Sequence, residues 1–166
     1  MLRSGLVLLV LAGAALAGCT SDRVDGCTPP PNETALLDEY LKEPALGVRP
    51  GEGSKRRKDP ERQVACRKVG KAVSTTSVFV QWDLSRDLSP DEVQGLYGPA
   101  TTGAGWTVVP ARSGSRYVQF CKNVLGERSI LDVTWQDAVV LERGERVPGV
   151  VTVGVRVAGV AEPSCP

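Results

Sequence analysis

Histidine is absent from the 166 residues of this chain. Without imidazole the chain cannot supply a Ser-His-Asp or Cys-His nucleophile system, a histidine-ligated zinc site or the His-Glu-x-x-His helix of zinc proteases. A strong charge of either sign is also missing, because 20 Lys and Arg side chains are balanced by 19 Asp and Glu. This balance gives no reason to expect nucleic acid as a partner. Several catalytic and binding classes are therefore excluded before any motif is considered.

Other catalytic motifs are missing as well. The sequence contains neither a Gly-x-Ser-x-Gly nucleophile elbow nor a Ser-x-x-Lys dyad. Residues 98–103 begin like a phosphate-binding loop, but Ala104 and Gly105 follow where Lys and Ser or Thr are required. We therefore expect no catalytic residue, no cofactor and no metal. A carboxylate pair is the remaining enzymatic option, as in an envelope hydrolase, and the candidates are Asp83, Asp87, Asp91 and Glu92.

Long hydrophobic runs are scarce, and the longest lies at the amino terminus. Arg3 precedes an apolar stretch from Leu6 to Leu16 that only Gly13 interrupts. A membrane-spanning helix needs about 20 apolar residues, so this shorter stretch is typical of a signal peptide. An ordinary secretory signal and an uncleaved anchor helix are the alternatives. We expect residues 1–18 to direct export and to be absent from the mature protein.

The end of this leader, Leu16-Ala17-Gly18-Cys19, resembles the lipobox of bacterial lipoproteins. The resemblance implies that Cys19 receives a diacylglyceryl group, that the chain is cut before it, and that the new amino terminus is acylated. Two fatty chains give stable attachment where one gives only marginal binding. We therefore expect anchoring to the outer, extracytoplasmic face of the cell membrane, followed by a tether over residues 19–31 and a single domain over residues 32–166.

Four cysteines remain once Cys19 carries lipid: Cys27, Cys66, Cys121 and Cys165. An even number in an exported protein predicts two disulfides, and four cysteines allow three pairings. We favour Cys66–Cys121 together with Cys27–Cys165, because the second bridge would join the two ends of the domain. A metal site with all four as ligands is disfavoured because no Cys-x2-Cys pair is present.

The hydrophobic pattern of the domain predicts an α+β fold. One helix is expected over residues 33–41, with Asn32 as its cap, and a loop over residues 44–60. Alternating apolar residues predict strands over residues 76–84, 106–109, 117–122, 130–136 and 151–157. Residues 63–69 fit a strand or a helix, and we favour the strand. Short connections favour an antiparallel meander, which gives a two-layer domain with one helical face.

The clearest local signal begins at Ser89. Ser89 is suited to be an N-cap, Pro90 to the first helical position and Glu92 to closing a capping box. Leu88 and Val93 have the spacing of a hydrophobic staple. Because proline lacks an N–H, we also expect a kink or break of this helix near residue 99.

The eight aromatic residues divide between the expected core and the expected surface. Trp82 and Trp135 lie on the apolar sides of their strands, whereas we expect Phe79 and Tyr117 to be more exposed and to mark a binding face. Trp106 fits either place. The capped helix with Tyr97 and the pair Gly105-Trp106 resembles a pattern in small actinobacterial lipoproteins of uncharacterised function, loosely over residues 64–157. That resemblance implies no catalytic residues.

These observations predict a lipid-anchored envelope protein with a non-catalytic binding or accessory domain. Its expected partners are the membrane, through the diacylglyceryl anchor, and an envelope protein or small ligand that the sequence does not identify. A carrier of small ligands or lipids is the main alternative, and it requires an apolar cavity between helix and sheet.

Overall fold

A six-stranded antiparallel sheet organises the residues described by the computed structural model, which are 31–63, 67–69, 72–74, 76–110, 115–159, 162 and 165. In chain order the elements are α1 (Glu33–Tyr40), a 3₁₀ helix (Pro44–Gly47), β1 (Lys55–Gln63), β2 (Arg67–Val69), β3 (Ala72–Ser74), β4 (Ser77–Asp83), α2 (Pro90–Gly103), β5 (Thr107–Val109), β6 (Tyr117–Val124), β7 (Glu127–Gln136), β8 (Val139–Val140), β9 (Arg146–Val147) and β10 (Val150–Val157). The predicted α+β class with a mainly antiparallel sheet is confirmed.

The strands of the main sheet lie in the order β1-β4-β10-β7-β6-β5. The last of the described strands, β10, occupies the interior of the sheet between β4 and β7. The strands that follow α2 are each adjacent to the next in the main sheet, so the predicted meander is confirmed. The remaining four described strands form two separate two-stranded ribbons, β2–β3 and β8–β9.

One face of the sheet is covered by both helices. Side chains alternate between the two faces of a strand, so every second residue points to the helices. The core side chains on this inner face are Val78, Val80, Trp82, Val118, Phe120, Leu131, Val133, Trp135, Val151, Val153 and Val155. They pack against Leu36, Tyr40, Val93 and Tyr97 from the helices. The expectation that Trp82 and Trp135 belong to the core is confirmed, and Trp106 joins them.

The predicted capping contacts at the start of α2 are present in the structure. The Glu92 N–H donates to Ser89 Oγ at 3.3 Å, and the Ser89 N–H donates to Glu92 Oε2 at 2.8 Å, which closes the capping box. Leu88 and Val93 are both buried in the same core. Hydrogen bonds from Arg86 and from Ser89 lower the pKa of Glu92 to about 2, so the carboxylate of the box is ionised at neutral pH.

The predicted break near Pro99 does not occur, because α2 continues to Gly103. Pro99 and Gly95 are exposed, so the Gly95 carbonyl that the missing N–H leaves free faces water. Solvation of this carbonyl compensates for the lost backbone bond, so the helix continues past Pro99.

Helix α1 is confirmed, but the role expected of Asn32 is wrong. The side chain of Asn32 makes no capping bond. Its Nδ2 instead donates at 3.2 Å to the carbonyl of Leu125, in the turn between β6 and β7. Asn32 therefore lies at the end of the sheet that holds Leu125 and Val157, which we call the near end. The far end holds the β8–β9 ribbon.

The loop expected over residues 44–60 is also wrong, because this stretch contains the 3₁₀ helix and most of β1. Strand β1 is an edge strand that pairs only with β4 in the main sheet. Its charged side chains and Pro60 are typical of edge strands, because such residues discourage pairing with a strand of another chain. The guanidinium carbon of Arg56 lies 4.6 Å from the centre of the Trp82 ring, so this basic stretch also covers the core.

The structure describes residue 63 and residues 67–69 of the stretch that fits a strand or a helix in sequence. Gln63 ends β1, and β2 covers Arg67–Val69, so the strand expected there is present at its last three positions. Residues 64–66 lie outside the described residues.

Candidate binding surface

The face of the sheet opposite the helices carries polar side chains in a regular row. Antiparallel pairing aligns Gln81 with Thr152, Thr152 with Thr134, and Thr134 with Tyr117. Neighbouring strands are about 4.8 Å apart, so four side chains cross the sheet in about 15 Å. Gln81 Nε2 donates to Thr152 Oγ1 at 3.3 Å, and Thr134 is exposed. We call this surface the open face.

Phe79 and Tyr117 are the aromatic residues of the open face, and both are half-buried. They lie on the side of the sheet opposite Trp82 and Trp135 and are more exposed than these tryptophans, as expected. Phe79 is aligned with Gly154, which is itself aligned with Asp132. A Cβ at position 154 would lie 3.6 Å from Phe79 Cβ, so Gly154 leaves this side of the Phe79 side chain uncovered by its neighbour on β10. The open face therefore presents two aromatic side chains beside neutral hydrogen-bonding groups.

The charged groups of the open face neutralise one another near its near end. Arg156 Nε donates to Asp132 at 2.8 Å, its other guanidinium nitrogens donate to Glu162, and Gln119 Nε2 donates to Asp132 at 2.6 Å. Burial opposes the ionisation of Glu162, but its bonds to Arg156 and to the Gly159 N–H hold the carboxyl pKa below its usual range. The row from Gln81 to Tyr117 contains none of these charged residues and offers only uncharged hydrogen-bonding groups.

The carboxyl-terminal segment is attached to the open face by a disulfide between Cys121 and Cys165, whose Cα atoms are 5.6 Å apart. The expected pairing of Cys66 with Cys121 and of Cys27 with Cys165 is therefore wrong. Cys121 lies on β6, opposite Ile130 of β7, and both are buried together with Val109 beneath this segment. Cys19, Cys27 and Cys66 lie outside the described residues.

A second cluster, which the sequence did not predict, joins Glu43, Trp106 and Lys122 at the rim of the core. Trp106 Nε1 donates to Glu43 Oε2 at 2.8 Å, and Lys122 Nζ lies 3.5 Å from Glu43 Oε1. Lys122 also donates to the Ala104 carbonyl at 2.8 Å. Each polar group thus has a partner from another element, and the cluster ties the segment after α1 to the end of α2. We assign it a structural role.

The four carboxylates considered for catalysis do not converge. Asp83 pairs with Arg57 at 2.7 Å, Asp87 accepts the Ala138 N–H at 2.8 Å, and Glu92 serves the capping box. Asp91 lies in the first turn of α2, where its charge complements the helix dipole. Three of the four are therefore committed to separate structural contacts.

Within the described ranges, no group of three or more Cys, Asp or Glu side chains is arranged to hold a metal ion. None of the described helices has the length and apolar character needed to span a bilayer.

Comparison with known proteins returns no match: no protein-family model, no curated protein and no solved structure is significantly similar to this chain.

Proposed function

We propose that this protein is a lipid-anchored, extracytoplasmic lipoprotein whose domain binds an envelope partner through the open face and performs no catalysis. The lipobox-like Leu16-Ala17-Gly18-Cys19 supports the anchor. The open face supports the proposal of binding. One side of the sheet is packed against the helices, whereas the other side exposes Thr134 between half-buried aromatic residues.

The position of Asn32 supports this arrangement. Asn32 contacts Leu125 at the near end, so a tether over residues 19–31 would join the domain there. Thirteen extended residues reach at most about 45 Å. Anchoring at the near end leaves the row from Gln81 to Tyr117, which lies toward the far end, accessible to a partner.

A small-ligand or lipid carrier is the second candidate, and one observation favours it. The indole N–H groups of Trp82 and Trp135 are buried without an acceptor among the described residues, and both tryptophans are aligned with Val151. A bound acceptor would satisfy them. The layer between helices and sheet is, however, occupied by fully buried side chains such as Val93 and Tyr97, which favours the open face. A carrier should release its ligand on denaturation, which mass spectrometry would detect.

Attachment is tested by Cys19→Ala. The variant should keep its leader and should incorporate no labelled palmitate, because the thiol that would accept the diacylglyceryl group is gone. The wild-type chain, expressed in the same bacterial host, should be labelled and should be shorter by the leader. Labelling of Cys19→Ala equal to that of the wild-type chain would refute the anchor.

Binding by the open face is tested by Thr134→Arg, with Gln94→Arg as the matched control. Both residues are exposed and both variants add one positive charge, but Gln94 lies on α2, on the opposite side of the molecule. We expect Thr134→Arg to reduce co-sedimentation of the chain from residue 20 onward with washed cell envelopes about tenfold, since an added large cation obstructs the row. The control should sediment like the wild-type chain.

Two results would contradict the proposal, each in a different part. Equal sedimentation of Thr134→Arg and the wild-type chain would contradict binding by the open face. Failure of the wild-type chain itself to sediment would contradict an envelope partner altogether.

A further inference from the structure

Exposed apolar side chains are concentrated on the β8–β9 ribbon, which with its turn we call the far hairpin (residues 138–149). Val139, Val140, Leu141 and Val147 are 57, 67, 45 and 39 % exposed. The other large apolar side chains exposed to this degree in the described ranges, Val108 and Leu125, lie elsewhere and singly. Single exposed apolar residues are ordinary, whereas a cluster of four within nine positions indicates an interaction surface.

The base of the far hairpin is fixed to the domain. The Ala138 N–H donates to Asp87 at 2.8 Å, and the Leu84 N–H donates to the Gly149 carbonyl at 2.8 Å. Gly149 approaches the chain so closely that a Cβ there would lie 2.6 Å from the Gln136 carbonyl oxygen. These contacts hold both strands where they leave the main sheet, so the apolar surface has a defined orientation.

Both outer edges of the far hairpin are without a neighbouring strand in the part of the chain that the structure describes. The Leu141 N–H donates to the Glu145 carbonyl at 2.8 Å, which makes these two residues a hydrogen-bonded pair. In an antiparallel ribbon the next pair, Val140 and Arg146, is then non-hydrogen-bonded. Val140 thus directs its backbone N–H and C=O outward, where they can pair with another strand.

The distribution of charge argues against insertion of this hairpin into lipid. Its tip contains Glu142, Arg143 and Glu145, and these residues would have to enter the bilayer first. Burying them without partners is costly. The apolar side chains lie along the stem instead, beside the free edge of β8. A strand packed alongside the stem satisfies both the backbone groups and the apolar surface.

We propose that a second copy of this chain pairs with β8 in the antiparallel direction, with a two-fold axis at Val140. In this register Val139 of each copy lies opposite Leu141 of the other, and the two Val140 residues lie opposite each other. Three consecutive apolar residues are therefore self-complementary, as a two-fold interface requires.

The charge of the hairpin does not oppose the approach of two copies. Its four charged residues, Glu142, Arg143, Glu145 and Arg146, sum to zero, so two copies do not repel each other. The paired stretch is short and buries less than a standard interface of about 1,600 Å², so the dimer is expected to be weak and is best detected by trapping.

The test uses full-length Val140→Cys, with Leu125→Cys as the matched control. Both positions are exposed apolar residues, but Leu125 lies at the near end. Hydrogen-bonded antiparallel partners have Cα atoms about 5.5 Å apart, which suits a disulfide. Under mild oxidation, we expect Val140→Cys to give about tenfold more covalent dimer than Leu125→Cys on a non-reducing gel. Equal yields from the two variants would overturn the proposal.

A mixing experiment tests the register. Chains with Val139→Cys and chains with Leu141→Cys should cross-link to each other more than either does to itself, because residue 139 faces residue 141 across the axis. A higher dimer yield from Arg146→Cys than from Val140→Cys would place the contact on β9 and contradict the proposal. A cross-linked product of Val140→Cys whose mass differs from twice that of the chain would contradict it too, since the occupant would be another protein.

Discussion

Val93→Asp should destabilise the domain by about 3–5 kcal/mol, because it places a carboxylate without a partner inside the core. Val93 is fully buried and faces the sheet from the second turn of α2, where Leu88 packs beside it. Urea unfolding followed by tryptophan fluorescence would measure the loss. Three tryptophans are buried in or beside this core, so the signal reports directly on its integrity.

Two milder variants at the same helix end serve as controls. Ser89→Ala removes the oxygen that accepts the Glu92 N–H and should cost about 1 kcal/mol. Pro90→Ala should cost less, since alanine also suits the first helical turn. We expect the order Val93→Asp, Ser89→Ala, Pro90→Ala from most to least destabilising. A neutral Val93→Asp would show that α2 does not pack against the sheet through this side chain.

Removal of the disulfide with the double variant Cys121→Ala and Cys165→Ala should cost about 4 kcal/mol. The bridge closes a loop with a sequence separation of 44 residues, and restricting the unfolded chain over that length stabilises the folded state by this order. Chemical denaturation of the oxidised wild-type chain and of the double variant would measure the difference. Reduction of the wild-type chain should lower its midpoint at least as far as the double substitution does, because reduction breaks every bridge in the chain.

The disulfide connectivity has its own measurement. Peptide mapping by mass spectrometry without reduction should give a linked fragment containing Cys121 and Cys165. With Cys19 carrying lipid, the even number of remaining cysteines predicts two bridges, so no free thiol should be alkylated in the native protein. A linked fragment of Cys66 with Cys121 would contradict the structure at this point.

The sequence predicted those strands in which one face is buried. In β4, β7 and β10 the apolar residues alternate, and residues such as Val80, Val133 and Val153 are buried as expected. Strand β1 could not be recognised in this way. An edge strand with charged residues lacks the alternation, and its existence depends on pairing with β4, which is a tertiary property.

The candidate surfaces were predictable only in part. Phe79 and Tyr117 could be placed on the outer side of the sheet from their parity in the strands, but the row linking Gln81 to Tyr117 depends on the register of four strands. The cluster of Glu43, Trp106 and Lys122 joins residues 63 and 79 positions apart. Nothing local in the sequence signals such contacts. The disulfide pairing failed for the same reason, since connectivity follows from the path of the chain and not from spacing.

The interior position of β10 has a consequence for the order in which this protein is made and folded. The strand that completes the middle of the sheet is the last one to be synthesised, and until it arrives β4 and β7 have no common neighbour. Pairing over such long sequence separations is slow, because the chain entropy is lost before the contacts form. A partly synthesised chain therefore cannot close its sheet. The sheet becomes continuous only once residues up to 157 have been made, so the two halves of the sheet depend on the last described strand for their connection.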